Sequence, residues 1–150
     1  MNHSQEQGVI ILDFGSQYTQ LIARRIREQN VFSEILPSNC SLPDILERKP
    51  SAIILSGGPS SVFGDTAPDF DLSILETKIP VLGICYGLQL LVHHSGGTVE
   101  SVGQGEYGFG RLNIHNSESL FNSVSQRTQV WMSHMDRVTI VPSGWQVLAE

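Results

Sequence analysis

With 150 residues, 40% hydrophobic and 16% charged, the chain suits one soluble globular domain. A net charge of −6 with no run of five basic residues argues against a nucleic-acid partner, and no apolar stretch is long enough to span a membrane. The polar first seven residues lack the basic and apolar parts of a signal peptide, so a cytoplasmic location is expected, and there Cys40 and Cys85 would stay reduced.

Val9-Ile10-Ile11-Leu12 is a continuous apolar run ending at Asp13-Phe14-Gly15, which predicts a strand buried on both faces. Ser16 is expected to cap the next helix. Tyr18, Leu21, Ile22 and Ile26 would share its inner face, with Arg24, Arg27 and Glu28 elsewhere and Asn30 as the stop. A more exposed strand, nearer an edge, is predicted over 31–36 and ended by Pro37, followed by a short helix over 44–48. Ala52-Ile53-Ile54-Leu55 reads as a third buried strand and runs into Ser56-Gly57-Gly58-Pro59-Ser60-Ser61. A modest helix over 69–76 comes next, and Pro80 opens a fourth strand over 81–84. Behind Cys85 a helix would carry Leu88, Leu91 and Val92 on one face and stop at Gly96-Gly97.

Four strand-helix units in a row imply an α/β fold, an open and mostly parallel sheet with helices on both faces. The pattern changes after Thr98. Gly103, Gly105, Gly108 and Gly110 break it into short alternating runs that predict antiparallel strands and hairpins. Val130-Trp131-Met132 and the stretch 138–141 read as strand, Pro142-Ser143-Gly144 as a turn, and 146–149 as the start of another strand.

The chemistry centres on Gly83-Ile84-Cys85-Tyr86-Gly87-Leu88-Gln89. This has the form of a nucleophile elbow with cysteine in place of serine. Its glycines permit a sharp strand-to-helix turn that lifts the thiol out of the sheet. The helix starting behind Cys85 turns its positive end toward the sulfur, the polarity a negative charge there needs. The alternative is a buried structural cysteine between two turn glycines. An attack on a carbonyl needs two oxyanion donors. One is naturally the N–H after the nucleophile, on Tyr86, and the other must come from a neighbouring loop such as Ser56-Gly57-Gly58-Pro59. That loop has no Walker lysine, so it is not a phosphate loop. Gln89 lies about one helical turn after Cys85, where its amide can hold a polar group or simply be solvated. His93 and His94, eight and nine residues along the helix, would stand roughly 12–14 Å from the sulfur, too far for proton transfer. His3 sits in a polar tail and His115 has no indicated partner. His134, two residues before Asp136, is the one candidate base. No Cys or His pair has zinc-ligand spacing with a second pair, so no metal is expected.

Taken together, Ser56-Gly57-Gly58-Pro59 and Gly83 to Gln89 resemble class I glutamine amidotransferases. Ile11-Leu12-Asp13-Phe14-Gly15-Ser16-Gln17-Tyr18, Leu21-Ile22-Ala23-Arg24-Arg25 and Trp131-Met132-Ser133-His134-Met135-Asp136 are similar to the amino-terminal domain of the glutamine-hydrolysing GMP synthetase family. The resemblance runs from about Val9 to the end. It implies that Cys85 is the nucleophile taking glutamine to a glutamyl thioester, with Gly58 and Tyr86 as oxyanion donors. It implies that Gln89 and the backbone around Ser133 and His134 hold glutamine. Glutamine hydrolysis itself would need no cofactor. The ammonia would aminate XMP to GMP, with ATP and Mg²⁺, in a synthetase domain in the same polypeptide or in trans, within a homodimer.

Two departures bear on this. The family's catalytic histidine and glutamate lie in a His-Pro-Glu motif, and no His-x-Glu occurs in these 150 residues. The synthetase portion, with its Ser-Gly-Gly phosphate loop, is likewise not among them. The expectation is therefore an amidotransferase domain over 1–150, incomplete at its carboxyl end. Many relatives carry Gly after the residue matching Met135, where this chain has Asp136. The competing readings are an amidotransferase of anthranilate or carbamoyl-phosphate synthesis, an unrelated cysteine hydrolase, and a non-catalytic module.

Overall fold

The computed structural model describes residues 8–64, 67–68, 70–117 and 119–150. His3 and Asp69 lie outside the described residues. The chain divides into two compact units, one up to Leu91 and one from Val92 onward.

The first unit holds a four-stranded parallel sheet in the order β2-β1-β3-β4. Its strands are β1 Val9–Asp13, β2 Ser33–Pro37, β3 Ala52–Leu55 and β4 Val81–Gly83. Parallel register aligns Ile10 with Ile53 and Leu12 with both Leu36 and Leu55, so these side chains share one face. They form the core there with Ile45 from α2 (Leu42–Glu47), Ile74 from a 3₁₀ turn (Leu72–Glu76), and Tyr86, Leu90 and Leu91 from α3 (Tyr86–His94). Ile11 must point to the opposite face and is fully buried as well. That face is covered by α1 (Thr19–Glu28), where the Ser33 hydroxyl on the sheet donates to the Ala23 carbonyl at 3.0 Å. Each large aliphatic side chain buried this way contributes about 1.5–3 kcal/mol. Both faces are thus covered, which is why β1 and β3 are apolar without alternation.

Several local expectations change. Ser16 does not cap α1. Tyr18 occupies the cap position without a side-chain bond, and the Ser16 hydroxyl accepts the Tyr18 N–H at 3.1 Å in the turn before it. The inner face of α1 carries buried Thr19 and Ala23 with half-buried Ile22 and Ile26, while Tyr18 and Leu21 are exposed. Positions 19, 22, 23 and 26 make the i, i+3, i+4, i+7 stripe, and 18 and 21 fall about one residue's rotation off it. On α3, Leu91 and Val92 are buried as expected, whereas Leu88, on the same helical stripe, is exposed. Asn30 does stop α1, in a left-handed conformation at φ +60°. The second helix begins earlier than expected, because the Ser41 hydroxyl accepts the Asp44 N–H at 3.4 Å as an N-cap. The helix expected over 69–76 is a five-residue 3₁₀ turn capped by Asp71.

The second unit is built on one long antiparallel ribbon, β5 Thr98–Asn113 with β6 Arg127–Ile140. The glycines do not cut β5 into short strands. The ladder is irregular only between Thr98 and Val99 and between Ser101 and Glu106. The stretch 146–149 forms an isolated bridge, Ile114 with Ala149, rather than a strand. His115 does have a partner, as its Nε2 lies 3.0 Å from Glu150 Oε1. α3 ends in a glycine cap: Gly96 is left-handed at φ +84°, and the Gly97 N–H returns to the Val92 carbonyl at 2.9 Å.

Candidate active site

The chain order β1, β2, β3, β4 against the spatial order β2-β1-β3-β4 creates a topological switch between β1 and β3. Open parallel sheets bind ligands beyond the carboxyl ends of the strands beside such a point. Three segments meet there: the turn after β1, the glycine loop after β3, and the elbow after β4.

Cys85 sits between β4 and α3 with φ +50°, a left-handed backbone that costs a non-glycine residue roughly 1–3 kcal/mol. Hydrogen bonds on both sides hold it there. Ile84 N–H donates to the Leu55 carbonyl at 3.0 Å, and Gln89 N–H donates to the Cys85 carbonyl at 3.1 Å. Gly87 N–H is shared between the carbonyls of Ser56 at 3.1 Å and Ile84 at 3.0 Å. The flanking glycines are required by space. A Cβ on Gly83 would stand 2.6 Å from the Gly87 carbonyl, and one on Gly87 would collide with the Leu55 carbonyl oxygen. The thiol that results is exposed, so Cys85 is not a buried structural cysteine.

The glycine loop lies against it. A Cβ on Gly57 would be 3.4 Å from Cys85 Cβ and 3.6 Å from Ser16 Oγ, which brings all three segments to one place. Gly58 packs so tightly on Phe14 that a Cβ would strike the Phe14 carbonyl oxygen. Among the described residues, neither the Gly58 N–H nor the Tyr86 N–H is engaged in a hydrogen bond. The Tyr86 side chain faces inward. Its ring packs against Phe14 with centroids 5.4 Å apart, its hydroxyl finds no partner among the described residues, and burial pushes its pKa above the usual value. The turn after β1 is held by Asp13, whose Oδ1 accepts the Gly15 N–H at 2.9 Å and the Thr19 hydroxyl at 2.8 Å.

Gln89 is buried, not solvated, on the first turns of α3. Cys85, Tyr86, Gln89 and Gly58 therefore all belong to the first unit. Ser133 and His134 belong to the second, on β6, opposite Tyr107 and Glu106 of β5. Ser133 is exposed. His134 is half-buried with its Nε2 3.4 Å from Glu106 Oε2, and its Nδ1 is buried without a partner among the described residues. His93 and His94 are exposed at the far end of α3, edge to face at 5.2 Å.

The sequence profile described as glutamine amidotransferase class-I matches residues 10–150. The chain belongs to the class I glutamine amidotransferase family. Within that family the amidotransferase is similar to glutamine-hydrolyzing GMP synthases. It is 52% identical over 141 residues to the one from Campylobacter lari, which covers 94% of this chain and 28% of that protein. It is 53% identical over 142 residues to the one from Brachyspira hyodysenteriae, covering 95% and 28%. The chain thus spans 28% of the length of these curated relatives. Among solved structures, a Thermoplasma acidophilum protein described provisionally as one component of a GMP synthase superposes with a TM-score of 0.80 at 25% identity, covering 99% of this chain and 74% of that one. A Thermotoga maritima glutamine amidotransferase gives 0.73 at 21% identity, covering 95% and 66%, a likeness of fold.

Sequence reasoning missed the amidotransferase's Ser56 side chain. It is fully buried, and its hydroxyl accepts the Phe14 N–H at 3.0 Å and donates to the Gly57 carbonyl at 2.8 Å. The one available signal was a serine placed directly between a fully apolar strand and two glycines.

Proposed function

We propose that this chain is the glutamine-hydrolysing module of a GMP synthase. The observation that carries the reading is an exposed Cys85 held left-handed at the head of α3, with the Gly57-Gly58 loop against it. In this reading the Cys85 sulfur adds to the side-chain carbonyl carbon of glutamine. A C–S bond forms and the carbonyl π pair moves to oxygen. The N–H groups of Gly58 and Tyr86 receive that charge, each such donor being worth about 10²–10³ in rate. As the oxyanion collapses, the C–N bond breaks and nitrogen leaves as ammonia after taking a proton. Water then cleaves the thioester to glutamate and restores the thiol. Gln89 is assigned to hold the glutamine, and the backbone around Ser133 and His134 carries the same assignment on the family resemblance alone.

These 150 residues contain no His-x-Glu, so the proton shuttle is assigned to a His-Pro-Glu segment outside them. The ammonia goes to a synthetase domain, in the same polypeptide or in trans, that aminates XMP using ATP and Mg²⁺, within a cytoplasmic homodimer. Three supports join: the family match, identity near 50% to GMP synthases along almost the whole chain, and the geometry at Cys85.

The test is ammonia release from glutamine by a version extended with the His-Pro-Glu segment of a GMP synthase relative. Glutamate and ammonia should form in equal amounts, and Cys85→Ser should abolish both. A folded, extended protein that leaves glutamine intact would contradict the proposal. Adding the relative's synthetase portion with XMP, ATP and Mg²⁺ then distinguishes GMP synthesis from the other amidotransferase pathways.

A further inference from the structure

Ser56 makes four hydrogen bonds to three segments. Its N–H donates to Leu12 of β1 at 3.1 Å, and its carbonyl accepts the elbow's Gly87 N–H at 3.1 Å. Its hydroxyl accepts from Phe14 at 3.0 Å and donates to the carbonyl of Gly57 at 2.8 Å. The last bond has a consequence for the next residue. The Gly57 carbonyl and the Gly58 N–H belong to the same peptide unit, which is planar and trans, so they point in opposite directions. Pinning the carbonyl toward the buried Ser56 side chain forces the Gly58 N–H outward, away from it. The hydroxyl cannot rotate freely to release the carbonyl, because its oxygen is also the acceptor for the buried Phe14 N–H. The loop cannot slide either, since Gly58 rests on the Phe14 carbonyl. Two glycines in a row would otherwise let this peptide flip at little cost.

We propose that the Ser56 hydroxyl is a positioning group for catalysis: by holding the Gly57 carbonyl it sets the direction of the Gly58 N–H and keeps the oxyanion site formed before substrate arrives. This rests on the reading of Gly58 as an oxyanion donor. Ser56 itself touches no reacting atom.

The test uses glutamate γ-semialdehyde, whose carbonyl carbon bonds the Cys85 sulfur to give a hemithioacetal with its oxygen in the oxyanion position. No proton shuttle to a leaving group is needed. Ser56→Ala should weaken binding of the aldehyde roughly 10–100-fold, somewhat less than deleting a donor outright. Glutamine binding and alkylation of Cys85 by iodoacetamide should stay within about threefold, since neither uses the oxyanion donors. If Ser56→Ala melts below the assay temperature, Ser56→Cys, which keeps the volume but is a weak donor and acceptor, is read the same way. Unchanged aldehyde affinity in a folded variant overturns the proposal. Equal losses in all three measurements also overturn it, since they mark a merely structural residue. If the unsubstituted chain itself fails to bind the aldehyde, the oxyanion reading falls and takes this proposal with it.

Discussion

Substituting alanine for the glycines around Cys85 separates the demands of the fold from those of the chemistry. In Gly87→Ala the new methyl would collide with the Leu55 carbonyl oxygen and stand 2.7 Å from Leu55 Cβ and 2.8 Å from its carbonyl carbon. Those atoms lie on β3, which is paired with β1 on one side and β4 on the other, so they cannot retreat. Relief requires lifting the first turn of α3 off the strand, which breaks the Gly87 N–H bonds to Ser56 and Ile84. Overpacking costs about 1–3 kcal/mol and each lost bond about 0.5–1.5 kcal/mol, so the total is about 2–6 kcal/mol. At about 2–4 °C per kcal/mol, the melting temperature should fall by roughly 4–24 °C. In Gly57→Ala the methyl would sit 3.4 Å from Cys85 Cβ and 3.6 Å from Ser16 Oγ, ordinary contact distances, and Gly57 is not among the left-handed glycines. Its melting temperature should stay within about 2 °C of the parent. Yet that methyl stands 3.4 Å from the Cβ that carries the sulfur, so alkylation of Cys85 by a glutamine-like chloroketone should slow at least tenfold, on the order of the cost of misplacing a reactant. Circular-dichroism melts and peptide mapping of the alkylated protein read both effects. The reasoning is refuted if Gly87→Ala melts with the parent, or if Gly57→Ala is the less stable of the two.

Other outcomes follow from single groups. Tyr86→Phe removes a buried hydroxyl that has no partner among the described residues and leaves the backbone N–H in place. The variant should be at least as stable as the parent, by up to about 1 kcal/mol in a denaturant titration, and should still react at Cys85. At His94, exposed as a whole but with its ring partly desolvated, that desolvation first and then the neighbouring His93 hold the imidazole pKa below its ordinary value. Below about pH 6.5 the unfolded chain therefore takes up the proton sooner than the folded one. Stability should fall as pH drops through that value and level off once it passes the lower folded pKa, and His94→Gln should flatten this part of a melting-temperature profile. The 150 residues without an added segment should release ammonia from glutamine much more slowly than the extended version, and equal rates would promote His134 to the shuttle.

What the sequence discloses follows what each residue has to satisfy. β1 and β3 are legible nearly to the residue because strands covered on both faces tolerate only apolar side chains, as in Ile10-Ile11-Leu12 and Ala52–Leu55. The elbow is legible because two glycines flank the cysteine in sequence, Gly83 answering the close approach of Gly87 itself and Gly87 that of Leu55. The inner face of α1 is not, because small Thr19 and Ala23 pack closest while the larger Tyr18 and Leu21 stay outside. The length of the ribbon is hidden by glycines that do not end strands: Gly103 and Gly105 fall in the irregular stretch, while Gly108 and Gly110 pair in regular register. Gln89 looks solvated on composition alone, and only the packed α3 shows it buried. Ser56 was the least legible. Its hydroxyl acts on Phe14, 42 positions away, and no local pattern encodes that contact.

The most direct test of the central claim is where a glutamine-like chloroketone attaches. Mapped by peptide mass, the adduct should fall on exposed Cys85 and be suppressed by free glutamine. Cys40 should stay unmodified, because burial, reinforced by Asp44 and opposed by Arg48, pushes its thiol pKa up. Attachment to Cys40 at an equal rate, or to Cys85 without protection by glutamine, would contradict an active-site thiol built for this substrate.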